Sequence, residues 1–190
     1  MSNRTIVITS GYFNPIHSGH IALLTEARTL GDRLIVIVNS DKQVTIKGSK
    51  PFLQQDERCN IVQALRCVDD VFLSIDEDGT VSRSLSQIAK NHPECDIIFA
   101  KGGDRNSSSA MPASELEACR QYNVEVVYGI GGTDKKNSSS WILEEWKFPK
   151  TERPWGYYKV LYELPTLKVK ELVVKPFMSL SMQKHNERNE

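Results

Sequence analysis

The chain has 190 residues, enough for the core of one full domain with a remainder that need not belong to it. Its 24 lysines and arginines balance 24 aspartates and glutamates, so no global field draws nucleic acid or an anionic membrane, and any anion binding must be local. Cys59, Cys67, Cys95 and Cys119 show no CxxC spacing, the longest apolar runs such as Leu34 to Val38 are too short to span a bilayer, and the first residues lack the apolar core of a secretory signal. A cytoplasmic protein with free thiols, and with neither nucleic-acid nor membrane partners, is expected.

Thr5 to Ser10 (TIVITS) is a β-branched run that stops at Gly11, which reads as a buried strand ending in a loop. From Gly19 onward, Ile21, Leu24, Ala27 and Leu30 recur at roughly helical spacing, and Gly31 is placed to cap the helix C-terminus. The pattern repeats: Arg33 to Val38 (RLIVIV) is a strand, Ile61, Leu65 and Val68 mark a helix, and Asp70 to Leu73 begins a third strand. Val81, Leu85 and Ile88 mark the next helix. Cys95 to Ala100 (CDIIFA) is a fourth strand before Gly-Gly, Ser114 to Tyr122 a helix, and Val124 to Tyr128 a fifth strand. Such alternation predicts an α/β fold, a five-stranded doubly wound parallel sheet with helices on both faces.

After about Trp146 the texture changes. Thr151 to Gly156 (TERPWG) reads as a turn-rich linker, and Tyr157 to Glu163 and Leu167 to Val174 alternate like antiparallel strands. The expected division is a first domain over 1–148, a linker over 149–156 and a partial β segment over 157–190.

In open parallel sheets, ligands bind beyond the carboxyl ends of the strands, and three unusual loops map there: Gly11 to His20, Lys101 to Asn106, and Gly129 to Ser140. In the first, Gly11 permits close backbone approach, Pro15 restrains the loop, and His17 and His20 bracket Gly19 at the mouth of a helix. Helix-terminal N–H groups and two imidazoles suit the oxygens of a polyphosphate. Taken alone, two histidines in such a loop also fit a metal site or plain capping residues. A metal would need further ligands, and the cysteines are not paired with these histidines, so no protein-held metal is expected. Asp104 after Gly102-Gly103 fits a turn as well as a ligand contact. Ser138, Ser139 and Ser140 fit a helix N-cap as well as a grip on phosphates. Lys47 is a loop lysine that can offer a mobile charge, and Arg58, in an early helical turn, has a surface ion pair as its default.

Gly11-Tyr12-Phe13-Asn14-Pro15-Ile16-His17-Ser18-Gly19-His20 resembles the G-x-F-x-x-x-H-x-G-H signature of the cytidylyltransferase-like nucleotidyltransferases. The stretches Leu30 to Val36, Asn39 to Asp41, Val68-Asp69 and Lys101 to Asp104 resemble the adenylyltransferase half of the bacterial heptose-phosphate kinase/adenylyltransferase. Glycerol-3-phosphate and phosphoethanolamine cytidylyltransferases are similar over the same region, with Ser138 to Ile142 standing at their Ser-Thr-Thr-x-Ile element.

The resemblance covers about Thr5 to Glu145. It implies a Rossmann-like fold, a Mg-NTP substrate, in-line attack by the phosphate of a small acceptor on the α-phosphate, and release of pyrophosphate. It implies His17, His20 and Lys47 as catalytic groups, with Gly11, Tyr12, Phe13, Asn14, Gly19, Gly102, Gly103, Asp104 and Ser138 to Ser140 at the nucleotide and Arg58 at the acceptor. ATP and CTP both stay open, and a homodimer is implied by resemblance alone. Asn14 stands where polyol and sugar members have Asp, and Ser-Ser-Ser replaces Ser-Thr-Thr. The tail, through Arg153-Pro154-Trp155-Gly156, Lys175-Pro176 and Leu180 to His185, resembles the opening of a type II phosphomannose isomerase cupin. That context favours a sugar phosphate as acceptor. His185 and Glu190 fall where cupin metal ligands are expected, but no working isomerase is predicted.

Overall fold

The computed structural model describes residues 4–102, 111–132 and 138–180. The chain divides into two compact units, Met1–Ser139 and Ser140–Glu190. No helix among the described residues is long and apolar enough to cross a membrane.

The first unit alternates strand and helix: β1 (Thr5–Gly11), α1 (Ser18–Arg28), β2 (Arg33–Val38), α2 (Asp41–Ile46), α3 (Gln55–Gln63), β3 (Asp70–Leu73), α4 (Ser82–Asn91), β4 (Asp96–Gly102), α5 (Ala113–Gln121) and β5 (Glu125–Ile130). All strand pairings are parallel, in the order β3-β2-β1-β4-β5. β1 and β2 are apolar at consecutive positions because both faces are covered. Ile6, Ile8, Ile35 and Ile37 pack with Val81, Leu85, Ile88 and Ala118 from α4 and α5. Val7, Leu34, Val36 and Val38 pack with Leu24, Ala27 and Val62 from α1 and α3. Each such side chain, once fully buried, stabilises the fold by roughly 1.5–3 kcal/mol. This is the Rossmann-like doubly wound sheet, and its strand order reverses between β1 and β4. There Thr9, 1% exposed, donates its hydroxyl to Ala100 O (2.9 Å) and ties the two strands together just short of their carboxyl ends.

Several local expectations are corrected. The first helix ends at Thr29, in right-handed conformation with φ −76°, so Gly31 is not its cap. Glycine is needed at 31 for space: the Asp32 N–H bonds Thr5 O (2.8 Å), and a Cβ on Gly31 would sit 2.8 Å from that same carbonyl. The helix marked by Ile61, Leu65 and Val68 stops at Gln63, and a further helix, α2, that the sequence pattern does not mark precedes it and has Lys47 as its C-cap. The fifth strand runs on through Ile130.

In the second unit, α6 (Ser139–Lys147), whose first residue closes the first unit, leads into β6 (Lys150–Arg153), β7 (Gly156–Leu164) and β8 (Leu167–Val174), an antiparallel sheet in the order β6-β7-β8. The segment read as a linker is therefore a strand and a turn: Thr151 pairs Tyr158 and Arg153 pairs Gly156 around Pro154-Trp155. Gly156 has φ 151°, and a Cβ there would collide with Val173 O. Every residue of β8 is exposed.

Lys101, expected in a loop, is the penultimate residue of β4 and is buried against α5. Its Nζ lies 2.7 Å from Glu115 Oε2, with side-chain exposures of 6% and 4%, and the other carboxylate oxygen accepts the Val81 N–H (3.2 Å). Removing one partner of a buried pair leaves a charge without compensation, which typically costs about 3–5 kcal/mol. Lys101→Met is expected to lose about that much in urea unfolding, and adding Glu115→Gln to recover most of it. A Lys101→Met protein as stable as wild type would contradict the pair's role.

Candidate functional site

The strand order reverses between β1 and β4, and the loop from Tyr12 to His17 follows the carboxyl end of β1, where open parallel sheets bind their ligands. Its geometry explains the spacing of the motif. Phe13 is 2% exposed and adopts φ 49°, and its ring folds back so closely that a Cβ on Gly11 would lie 2.9 Å from Phe13 Cζ. The same ring meets the imidazole of His20, with centroids 4.8 Å apart. His20 Nδ1 accepts the backbone N–H of His17 (3.2 Å), and His17 Nδ1 accepts the N–H of Gly19 (3.1 Å). A Cβ on Gly19 would stand 3.0 Å from the His17 ring. Gly11, Phe13, His20, His17 and Gly19 thus depend on one another in sequence.

The two histidines form a capping box on α1, with His17 as N-cap and His20 at N3. The capping reading is the one seen, and it leaves a second nitrogen on each imidazole outside the cap. With Nδ1 occupied as an acceptor, the proton of each neutral ring sits on Nε2, which becomes its donor. The rings lie 3.8 Å apart between centroids. Burial, then the neighbouring His17 and the Lys47 ammonium, lower the His20 pKa from 6.5 to about 3. The first turn of α1 carries no acidic residue, so its positive end is not offset from within the helix.

Lys47, the C-cap residue of α2, brings its ammonium 4.4 Å from the centroid of the Tyr12 ring. Ser139 Oγ donates to Pro15 O (2.8 Å), and Ser138 is buried at 8% exposure. The β5 strand leaves its end close to α1: Gly131, φ 87°, donates its N–H to Glu26 Oε2 (2.9 Å), and a Cβ there would strike Leu23 at 2.8 Å. Gly102 ends β4, half-buried. Gly103 and Asp104 lie outside the described residues, as do His185 and Glu190. Ser140 belongs to the second unit.

Arg58 is not in a surface ion pair. It is 1% exposed, and its guanidinium donates to Leu53 O (3.1 Å), Tyr12 O (2.6 Å), Asn39 O (2.8 Å) and Asp41 Oδ1 (2.7 Å). It therefore braces the loop from within. Asn14, 5% exposed, also faces inward, toward Lys50 and Phe52.

The sequence reading missed the partners of this brace. Asp41 N–H bonds Gln55 Oε1 (3.0 Å) while Gln55 N–H bonds Asp41 Oδ2 (3.1 Å), which joins the starts of α2 and α3. Gln43, 0% exposed, accepts from Asn39 and Ser40 and donates to Asp78 O and Thr80 O. The signal was present: Ser40-x-x-Gln43 is a capping-box spacing. Two clefts of about 540 and 510 Å³ open elsewhere, between α4 and α5 and at the amino ends of β1 and β2. Neither contains a residue of the loop, and the carboxyl-end crevice is the one this class of sheet uses.

The profile of the cytidylyltransferase-like family matches residues 8–153, and that of the mannose-6-phosphate isomerase C-terminal family matches residues 144–190. Among curated proteins, the chain is 37% identical over 145 residues to the bifunctional protein HldE of Pelobacter propionicus, covering 75% of this chain and 28% of that protein. It is 35% identical over 150 residues to the bifunctional protein HldE of Pseudomonas putida, with the same coverage. The chain thus spans little more than a quarter of these relatives. Among solved structures, the lipopolysaccharide core biosynthesis protein of Thermoplasma volcanium superposes with a TM-score of 0.54 at 26% identity, covering 69% of this chain and 99% of that one.

Because the folded-state pKa of His20 is depressed, its contribution to stability is complete above pH 6.5 and is lost as pH falls toward about 3, where the folded ring also protonates. In imidazole NMR, His20 is expected to keep a neutral Nε2–H signature between about pH 5 and pH 8. A titration midpoint near the ordinary histidine value would contradict the buried capping geometry.

Proposed function

The chain belongs to the cytidylyltransferase-like family, and within it we propose a nucleotidyltransferase that moves a nucleoside monophosphate unit from a magnesium-bound nucleoside triphosphate to a sugar phosphate, releasing pyrophosphate. The observation that supports this reading is the histidine capping box at the start of α1, in which both Nδ1 atoms accept backbone N–H groups and His20 is held neutral with the Lys47 charge among the causes, beside the sheet's switch point. Such a site offers donors to phosphoryl oxygens without requiring a covalent nucleophile.

In the proposed reaction a phosphate oxygen of the acceptor attacks the α-phosphorus. The new P–O bond forms as the bond to the β-phosphate oxygen breaks, and pyrophosphate departs with that electron pair. His17 and His20 donate from Nε2 to oxygens whose charge grows, and Lys47 adds a mobile positive charge. Charge-assisted hydrogen bonds of this kind contribute roughly 1.5–3 kcal/mol each. Magnesium enters as part of the substrate, on the oxygens of the triphosphate. Among the described residues no group of three or more His, Cys, Asp or Glu could hold a metal ion, so those residues fit a metal carried by the nucleotide better than one caged by protein.

ATP with an aldose 1-phosphate of the heptose type is the first pair to examine, supported by the resemblance to the adenylyltransferase half of the heptose-phosphate enzyme and by the HldE relatives. The described β6 to β8 strands are assigned no isomerase chemistry.

The test is pyrophosphate release with ATP and CTP, each crossed against heptose 1-phosphate, mannose 1-phosphate, glycerol 3-phosphate and nicotinamide mononucleotide. Turnover is expected with a sugar 1-phosphate. A folded His17→Ala, His20→Ala double variant is expected to lose about 10²–10³-fold or more in kcat, the scale of losing transition-state donors. A sugar phosphate that is inert while another acceptor turns over would reassign the substrate, and a double variant of nearly full activity would remove the two rings from the mechanism.

A further inference from the structure

Asn14 is almost fully buried, and its carboxamide commits both of its functions to one segment of chain. Nδ2 donates to Lys50 O (2.9 Å), and Oδ1 accepts from the Phe52 N–H (2.6 Å). The pair of bonds works like one rung of an antiparallel ladder made by a side chain. The segment it grips begins at Lys47, where α2 ends, and passes through Gly48, whose φ of 79° turns the chain. At the other end of the same segment the Lys47 ammonium rests over Tyr12, two residues before Asn14 in the loop. Tyr12 and Asn14 therefore hold opposite ends of one short stretch, and the Tyr12 carbonyl is itself fixed by Arg58.

We infer that Asn14 is a positioning residue, which latches residues 50–52 to the histidine loop and so delivers Lys47 to the triphosphate. The inference rests on the placement of Lys47 in the site proposed above. It also gives a physical reason for the amide. An aspartate could accept from Phe52 N–H but would set a second oxygen against the Lys50 carbonyl, losing one bond and adding a repulsion. A serine or alanine would reach neither group. Asn14 itself is too enclosed to be a principal contact for the nucleotide, so its identity reports on the 47–52 segment rather than on the acceptor.

Asn14→Leu keeps the branched shape, though with larger methyl groups, and removes both bonds, whereas Asn14→Asp keeps only the acceptor. In ligand-free hydrogen exchange the Phe52 amide is expected to lose about tenfold in protection in Asn14→Leu and to keep it in Asn14→Asp. Unchanged exchange in Asn14→Leu would overturn the latch with no reference to any ligand. Asn14→Ser, which also loses both bonds, replaces Asn14→Leu if that variant does not fold. Calorimetric titration with Mg-ATP then tests delivery. Asn14→Leu is expected to bind about tenfold more weakly, and in a Lys47→Met background the same change is expected to add less than about twofold, because the group it acts through is gone. Additive losses in the double variant would overturn the positioning role and leave Asn14 as a stability residue. The titration is repeated with Mg-CTP if Mg-ATP does not bind, and a wild-type protein that binds neither would sink the nucleotide reading and with it the delivery of Lys47, while the exchange result still decides the latch.

Discussion

A guanidinium taken out of water must be bonded on every side or the fold cannot keep it, and that constraint organises the carboxyl edge of this sheet. The Arg58 side chain is 0% exposed. Its partners come from four places that sequence separates: the loop after β1 through Tyr12, the end of β2 through Asn39, the approach to α3 through Leu53, and the first residue of α2 through Asp41. The arrangement that satisfies Arg58 is one in which these chain ends meet. The desolvation cost and the bonds that offset it therefore select a single path for the loop, including the left-handed backbone at Phe13 that an isolated peptide would avoid.

Above that brace the motif residues divide their labour by atom. In each histidine the Nδ1 atom is a structural group, consumed in capping α1, and in the proposed reaction it is the Nε2–H that acts on the phosphoryl oxygens. Capping also fixes the tautomer, since a ring that accepts at Nδ1 cannot carry its proton there. A metal-binding use of the same rings would call for a nitrogen lone pair at Nε2, and therefore for the opposite tautomer. A ring capped through Nδ1 therefore carries a donor and not a lone pair at Nε2, a distinction that the spacing His-x-x-His could not supply.

The parts of the fold that were legible in the sequence are those where local pattern and tertiary role agree. β1 and β2 are buried on both faces, so TIVITS and RLIVIV read as strands without knowledge of their neighbours. The histidine loop was legible because each motif residue constrains the next one over a few positions. α2 was not, since its six residues are too few to show a period and its buried side of Gln43 and Val44 is partly polar. Arg58 was misplaced because charge is a good guide to exposure only when no set of convergent carbonyls exists, and those carbonyls come from distant segments. The strand Lys150–Arg153 was hidden by the Pro-Trp turn beside it, whose composition signals a linker as readily as a hairpin.

The formal net charge of zero leaves no general attraction for a polyphosphate, and the site does little to create one. His20 is held neutral, His17 carries its proton on the nitrogen away from the cap, Arg58 is enclosed with its own carboxylate, and Lys101 is paired with Glu115. What the loop offers instead is oriented dipoles: imidazole N–H groups and the start of a helix, with Lys47 as a charge on an adjustable stem. Dipoles fall off faster with distance than charges and are more sensitive to angle, so they contribute little to capture and much to discrimination between one placement of oxygens and another. Phosphoryl exchange needs that discrimination, because the oxygens move by fractions of an ångström between ground state and transition state while their charge redistributes. In the proposed reaction, a loop braced by Arg58 can favour the later arrangement without first binding the earlier one too tightly.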